Sequence, residues 1–299
     1  MTIPSNPAYL NFDAAAARRW WLRRAAAAPW LHEEIGRRMV NRLDFIRPQP
    51  GAWAHWAPLH GGLEAHALVA EKYPGAVSYL VEPEFRHSDR ELQALRGGWL
   101  SARRWRQDVR VVVEPPAAGV GMVWSNMGLH ACDAPMDMLA AWHRCLSPDG
   151  FLMFSCLGPD TAKELREVYG RLGWGEPAAP LMDMHDWGDL LVQFGFAEPV
   201  MDMEVLTLTW ASSDAMLAEL RQLGKNVHPG RFQGLRGRHW LGAWHEAMVD
   251  MATRSPDGRC CLSFELIFGH AFKPAPGVPV GRETRIPLEE MRVSLRQRK

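Results

Sequence analysis

Cysteine is scarce. The 299 residues hold five (Cys132, Cys145, Cys156, Cys260 and Cys261), irregularly spaced and with no C-x-x-C. That pattern excludes a disulfide scaffold and offers no zinc or redox spacing, so a reducing cytoplasm is the expected setting. No run of about 18 apolar residues occurs, and no membrane-spanning helix is expected. There is no G-x-G-x-x-G, and the last strand, near residue 265, reads as antiparallel; together these set aside a nicotinamide-dependent oxidoreductase. The opening MTIPSNPAYL lacks the basic-then-apolar pattern of a signal peptide, and AAAARRWWLRRAAAA reads as an internal cap helix rather than a targeting helix. Formal net charge is +0 at pH 7, which argues against a general nucleic-acid binder. His55, His60 and His130 have no spacing that suits a tetrahedral centre, and no metal is expected.

What the chain does have is tryptophan, 14 residues of it, and a strongly uneven distribution of charge. Residues 1–50 carry eight cations against four acids, 114–216 four against 15, and 217–299 14 against eight. Two basic ends flank an acidic middle, an asymmetry that can steer an acidic partner to one surface. The N-terminal stretch reads as two helices broken at Pro29. Asp13 can cap Ala14 to Ala27, and Trp30, Ile35, Met39, Val40 and Leu43 recur near helical spacing in the second helix. Arg18, Arg19, Arg23, Arg24, Arg37 and Arg38 lie along them. Pro48 and Pro50 end the pattern, so residues 1–46 form an expected helical cap.

From residue 47 short apolar runs alternate with helical segments. The expected strands are Ala52 to Trp56, Val77 to Val81, Val109 to Val113, Gly121 to Trp124 and Phe151 to Cys156. The helices between and after them are Leu63 to Tyr73, Ser88 to Arg96 and Met136 to Cys145, the last closed by a turn at Ser147 to Gly150. This alternation predicts an α/β fold with a parallel sheet covered on both faces, and ligands of such sheets sit at the carboxyl ends of the strands. Further on come helices at Thr161 to Leu172, His185 to Phe194, Asp214 to Leu223 and His239 to Ala252, and strands at Val205 to Trp210 and Leu262 to Ala271. The main domain spans 47–272, with 157–200 and 212–255 contributing lid helices. Residues 273–299 read as a Pro-rich, basic, disordered tail.

The first strand runs into His55-Trp56-Ala57-Pro58-Leu59-His60-Gly61-Gly62 and then directly into a helix. Gly61 and Gly62 lie where backbone must approach a ligand closely, and Glu82, at the end of the second strand, can accept both ribose hydroxyls of an adenosine. The plain alternative is a tight turn and a solvated glutamate. Trp56, beside the turn, can face an adenosine.

More specific patterns lie downstream. Gly121-Met-Val-Trp-Ser-Asn-Met-Gly-Leu-His130 and Leu146-Ser-Pro-Asp-Gly-Phe-Leu-Met-Phe-Ser155 resemble the fourth and fifth strands of a class I S-adenosylmethionine (SAM) methyltransferase. With Gly158-Pro-Asp-Thr-Ala-Lys-Glu-Leu-Arg166, Met182-Asp-Met-His-Asp-Trp-Gly-Asp189, Pro199-Val-Met-Asp-Met-Glu204 and Phe264-Glu-Leu-Ile-Phe-Gly-His-Ala271, they resemble the BioC family. These are the malonyl-acyl-carrier-protein O-methyltransferases of biotin synthesis, to which the mitochondrial complex I assembly methyltransferases are related. The similarity covers roughly residues 30 to 272.

The resemblance implies a Rossmann-like, seven-stranded, mostly parallel sheet, SAM as cofactor, and methylation of the free carboxylate of malonyl-acyl carrier protein. It also places the glycine-rich loop, D-x-G-x-G-x-G in the family, on His55, Ala57, Leu59 and Gly61, so that only the last glycine remains. Each lost glycine adds a Cβ where the cofactor should pass. The cofactor-binding residues implied are His55, Trp56, Gly61, Gly62 and Glu82, with Asn126 near the methionine end. An ionised malonyl carboxylate needs no general base, only a cation or donor to orient it, and Arg166 or His185 can serve. Arg166 can equally pair with Asp160 or Glu167 on its own helix. The acidic carrier protein is expected at the basic N-terminal helices. The eroded loop keeps open a second function, that of a binding or assembly protein that retains the scaffold without the catalysis.

Overall fold

The computed structural model describes residues 12–21, 28–82, 108–253 and 257–276. Two helices open the chain, α1 (Ala14–Trp21) and α2 (Trp30–Arg42). Asp13 caps α1: its carboxylate accepts the Ala16 N–H at 2.9 Å and its carbonyl accepts that of Ala17. The rest of the predicted first helix, residues 22–27, lies outside the described residues.

Then follow β1 (Ala52–Trp56), α3 (Pro58–Gly61), α4 (Leu63–Lys72), β2 (Val77–Val81), β3 (Val109–Val112), β4 (Val120–Ser125), α5 (Pro135–Cys145) and β5 (Leu146–Leu157). The second half supplies α6 (Lys163–Leu172), α7 (Met184–Gln193), β6 (Ala197–Trp210), α8 (Ser213–Leu223), α9 (Arg238–Thr253) and β7 (Cys260–Phe272). The helix predicted at Ser88 to Arg96 falls outside the described residues, as does the tail from 277 onward.

The seven strands form one sheet in the order β3-β2-β1-β4-β5-β7-β6. The first five are parallel, and β7 runs antiparallel to both β5 and β6. This is the class I methyltransferase arrangement that the resemblance implies. Central position explains the composition of β1: Trp53, Ala54, His55 and Trp56 are all buried, because a parallel strand covered on both faces has no solvent side. One face packs α2, α4, α8 and α9 around Trp53, Trp124, Trp244 and Phe264; the other packs α5 and α7 around Trp142, Phe154 and Trp187.

Two predictions differ from the structure. The turn expected at Ser147 to Gly150 lies inside β5, as an irregularity with Asp149 at φ +61°. β6 begins eight residues earlier than Val205 and is an edge strand whose burial alternates along most of its length. Its first half holds Glu198, Pro199, Asp202 and Glu204, types that an edge strand tolerates but a central one does not.

The N-terminal helices pack directly on the sheet domain. Ideal Cβ geometry at Gly36 of α2 would meet the Ala65 Cβ at 2.5 Å, so only glycine lets α2 lie this close to α4. That contact brings Glu33, on the preceding turn of α2, to the start of α4.

Candidate functional site

At the carboxyl end of β1 the chain turns through Ala57, which adopts the left-handed conformation (φ +52°, ψ +54°) that glycine favours. Its N–H donates to the Val81 carbonyl at 2.8 Å, and a single helical turn, α3, carries the chain into α4. Gly62 sits between the two helices at φ +109°. The N–H groups of Leu63, Glu64 and Ala65 all donate to the Glu33 carboxylate, at 2.9, 3.3 and 3.2 Å. The positive end of α4 is therefore capped by an acid from α2. The approach that the Gly-Gly pair allows is to Glu33 and to the Asn126 carbonyl, 2.8 Å from where a Gly61 Cβ would be.

Asn126, fully buried just beyond β4, joins three elements. Its amide nitrogen donates to the carbonyls of His32 (2.7 Å) and Gly61, and its oxygen accepts from Ser155 Oγ at 2.7 Å. His60 bonds through Nε2 to the Met127 carbonyl at 3.0 Å, and its own carbonyl accepts from His32 Nδ1 at 2.8 Å. Trp20 and Trp21 of α1 cover the His60 ring, with centroids 5.4 and 5.0 Å away. Burial lowers the His32 pKa to about 4. His55 is fully buried and stacks on His66; burial, then the charge of His66, holds its pKa well below the ordinary value. Glu82 is fully buried at the end of β2, and its Oε1 accepts the Leu59 N–H at 3.2 Å.

Of the six residues assigned to the cofactor, the structure thus joins Gly61 to Asn126 directly and ties Glu82 to the same loop through Leu59. His55 and Trp56 point into opposite layers, His55 against His66 and Trp56 against Trp142 at 6.3 Å. His55 Nε2, Trp56 Nε1 and Ser125 Oγ, at the ends of β1 and β4, are buried with no hydrogen-bond partner among the described residues. Among the described residues no group of three potential metal ligands occurs.

Beside this loop, at the carboxyl ends of β4 and β5, lies a cavity of about 400 Å³. Leu129 to Cys132, the start of α6, residues 177–182, α1, the end of α8 and Trp244 line it. Among the described residues its lining holds Arg166, Arg221 and Lys225 and not one aspartate or glutamate. Arg166 neither pairs with Asp160 nor with Glu167; its guanidinium donates to the Pro159 carbonyl. His185 stands exposed on the first turn of α7 and is not among the lining residues, although its neighbours Met182 and Trp187 are. His130 faces the cavity with its pKa lowered to about 3 by desolvation, then by His32, and its Nδ1 accepts the Leu157 N–H at 3.4 Å. Burial raises the Cys132 thiol to about 12, so it is no nucleophile near neutrality.

Glu33 and Glu265 were not foreseen as site-forming residues. Glu265 accepts the Asp160 N–H at 2.6 Å, and its backbone carbonyl accepts from Thr161 Oγ1, fixing the edge of the cavity. Both acids act on backbone groups far away in sequence, which no local pattern reveals.

No family model matches the chain. Individual relatives do. A malonyl-[acyl-carrier protein] O-methyltransferase from Gallionella capsiferriformans is 38% identical over 84% of this chain and 87% of its own length. One from Laribacter hongkongensis is 37% identical over 89% and 88%. The chain belongs to the malonyl-[acyl-carrier protein] O-methyltransferase family. Among solved structures, the YcgJ protein of Bacillus subtilis (TM-score 0.52, 9% identity, 82% of this chain and 100% of that one) shows the same fold. So does a protein of Bacillus halodurans C-125 (TM-score 0.50, 14% identity, 79% and 99%).

As a malonyl-[acyl-carrier protein] O-methyltransferase family member, the chain is a SAM-dependent methyltransferase by descent, and its residues can be tested against that cofactor. At the nucleoside end they fit. Glu82 places a fully buried carboxylate at the end of β2, Ala57 keeps the course that a glycine would give the loop, and, among the described residues, polar atoms without a hydrogen-bond partner stand at the ends of β1 and β4. At the methionine end the protein uses its own groups: Asn126 commits both amide protons to backbone carbonyls. Asn126 therefore holds the loop in place rather than presenting a free amide.

Proposed function

We propose that this protein methylates the free carboxylate of a malonyl group carried by acyl carrier protein, the activity for which its relatives are named. The observation that carries the reading is the acid-free, cation-bearing cavity at the carboxyl ends of β4 and β5, in a chain of this family. An apolar chamber with one half-buried guanidinium suits a short acyl chain that ends in a carboxylate.

When bound, SAM supplies a methyl group on a positively charged sulfur. The chain's own residues do the rest. Glu82 would hold the ribose, and Ala57 to Gly61 would shape the wall beside it. Arg166 orients the malonyl carboxylate and takes precedence over His185, which stands outside the cavity. Apolar walls from Leu129, Leu165, Trp187 and Leu217 exclude water, which strengthens the alignment of the reacting pair. A malonyl carboxylate is already ionised near neutrality, so these residues need supply no base. The neutral, hydrogen-bonded His32 and His130 agree with this. Esterification removes the charge, and the family resemblance implies that the masked chain is then extended toward a pimeloyl precursor.

The acyl chain must arrive on its carrier protein. Placing that carrier on α1 and α2 meets a difficulty in α2: Arg37 and Arg38 pair with Glu34, and Arg38 and Arg42 reach Glu204 and Asp202. Most of the charge there is already neutralised.

Transfer of labelled methyl from SAM to malonyl-acyl carrier protein tests the reading directly, and growth of a biotin auxotroph lacking the methyltransferase tests it in cells. Calorimetry should show micromolar SAM binding that Glu82→Ala abolishes. The clamped loop favours one rival, a scaffold without catalysis, and absence of SAM binding up to millimolar concentration would establish it.

A further inference from the structure

Between Glu219 and Glu246 the sequence holds five cations, Arg221, Lys225, Arg231, Arg236 and Arg238, and no acid. The structure gathers them on the end of α8, the connection 224–237 and the start of α9. Arg231 is paired with Asp13 at 2.7 Å, and Arg236 lies over the Phe232 and Trp240 rings and donates to the Trp174 carbonyl. Arg221, Lys225 and Arg238 are exposed, and among the described residues no carboxylate pairs with any of them. This contrasts with α2, where each arginine of the exposed face has an acid beside it.

The same segment carries two outward-facing apolar side chains, Leu235 at 99% exposure and Phe232 at 51%. It also forms the rim of the cavity, since Arg221, Leu223, Gly224, Lys225, Asn226 and Val227 all line it. Uncompensated positive charge, a protruding apolar tip and the entrance to an acyl chamber thus share one stretch of chain. Arg236, held by Trp174 and two aromatic rings, stiffens the connection from behind.

We propose that residues 221–238 are the docking surface for the acidic carrier protein, with Lys225 and Arg238 meeting its carboxylates, Leu235 seated between its helices, and the substrate arm entering past Val227. The inference rests on the proposed carrier-bound substrate, but it moves the partner from the N-terminal helices to the α8–α9 connection. Charges that have no partner of their own are the ones that gain from meeting an acidic surface, because no existing ion pair is broken on docking.

Binding of fluorescently labelled holo-acyl carrier protein to the full chain tests it, read by anisotropy at two salt concentrations. Lys225→Glu/Arg238→Glu is expected to weaken binding about tenfold at low salt, with most of the difference lost at high salt, and Leu235→Ser to weaken it about threefold at either salt. Arg37→Glu, on α2, should change it less than twofold. Equal loss from Arg37→Glu, or wild-type affinity in the double variant, would overturn the proposal. Unchanged melting temperature and unchanged SAM affinity in the double variant exclude misfolding as the cause. Failure of the functional reading shows differently: no methyl transfer by the unmodified protein, whatever its affinity for the carrier.

Discussion

The nucleotide loop and the cavity beside it handle their polar groups in opposite ways. Around the loop Glu33, Asn126 and His60 form their hydrogen bonds with neighbouring backbone, so that α3, α4 and the residues after β4 are clamped to α2. In the cavity Arg166, Arg221 and Lys225 meet no acid among the described residues, and the remaining lining is largely apolar. Internal satisfaction stabilises; uncompensated charge beside apolar surface waits for a ligand. The difference teaches that a loop closed on its own packing can border an open chamber. The loop is fixed by hydrogen bonds to its own backbone, while the cavity beside it stays open.

Variants can break this comparison. The largest effect is expected at Arg166: Arg166→Ala should lower methyl transfer about 100-fold with a melting temperature within a few degrees of wild type, and Arg166→Lys should recover part of it. A large stability loss with little kinetic change would make Arg166 a structural residue instead.

Next comes the loop, where stability should suffer first. Gly62→Ala forces a Cβ onto a residue at φ +109° and against the Glu33 carboxylate, at a cost of about 2–3 kcal/mol in denaturant unfolding. Glu33→Ala removes the cap from three N–H groups and should cost about 1–2 kcal/mol.

Acid sharpens the same contrast. The folded pKa of His32, about 4, lies below its unfolded value of 6.5, so the unfolded chain binds the proton first and stability falls as pH drops from 6.5 to about 4. The slope is about 1.4 kcal/mol per pH unit for this imidazole. His130, lowered to about 3, continues the decline to lower pH. Urea titrations at successive pH values check this, and His32→Asn should flatten the curve. The smallest effect belongs to the surface pairs of α2: Arg37→Ala should change stability by less than about 0.5 kcal/mol.

Much of the fold was legible because burial on both faces writes unbroken apolar runs. β1 and β2 occupy the residues expected of them, and the helices of the second half begin within two residues of their predicted starts. The first half of β6 was hidden by Pro199, Asp202 and Glu204, which an edge strand can hold because one side has no ladder to complete. The site was legible as a place rather than as a mechanism. The Gly-Gly turn announced close approach, but sequence could not say that the approaching groups would be Glu33, some 30 residues upstream, and the Asn126 carbonyl. Arg166 was a candidate from chemistry alone; that its partner is a carbonyl rather than an acid depends on where Pro159 falls in three dimensions.

β6 ends at Trp210 and β7 begins at Cys260, and those two residues face each other across the ladder. Residues 211–259 therefore leave the sheet and return to it at adjacent rungs, so the excursion can lengthen, shorten or be replaced without moving a strand. Because that excursion holds both the rim of the chamber and the basic connection, a transplant of 211–259 between relatives should carry preference for one carrier over another along with it, leaving the nucleotide half of the recipient as it was.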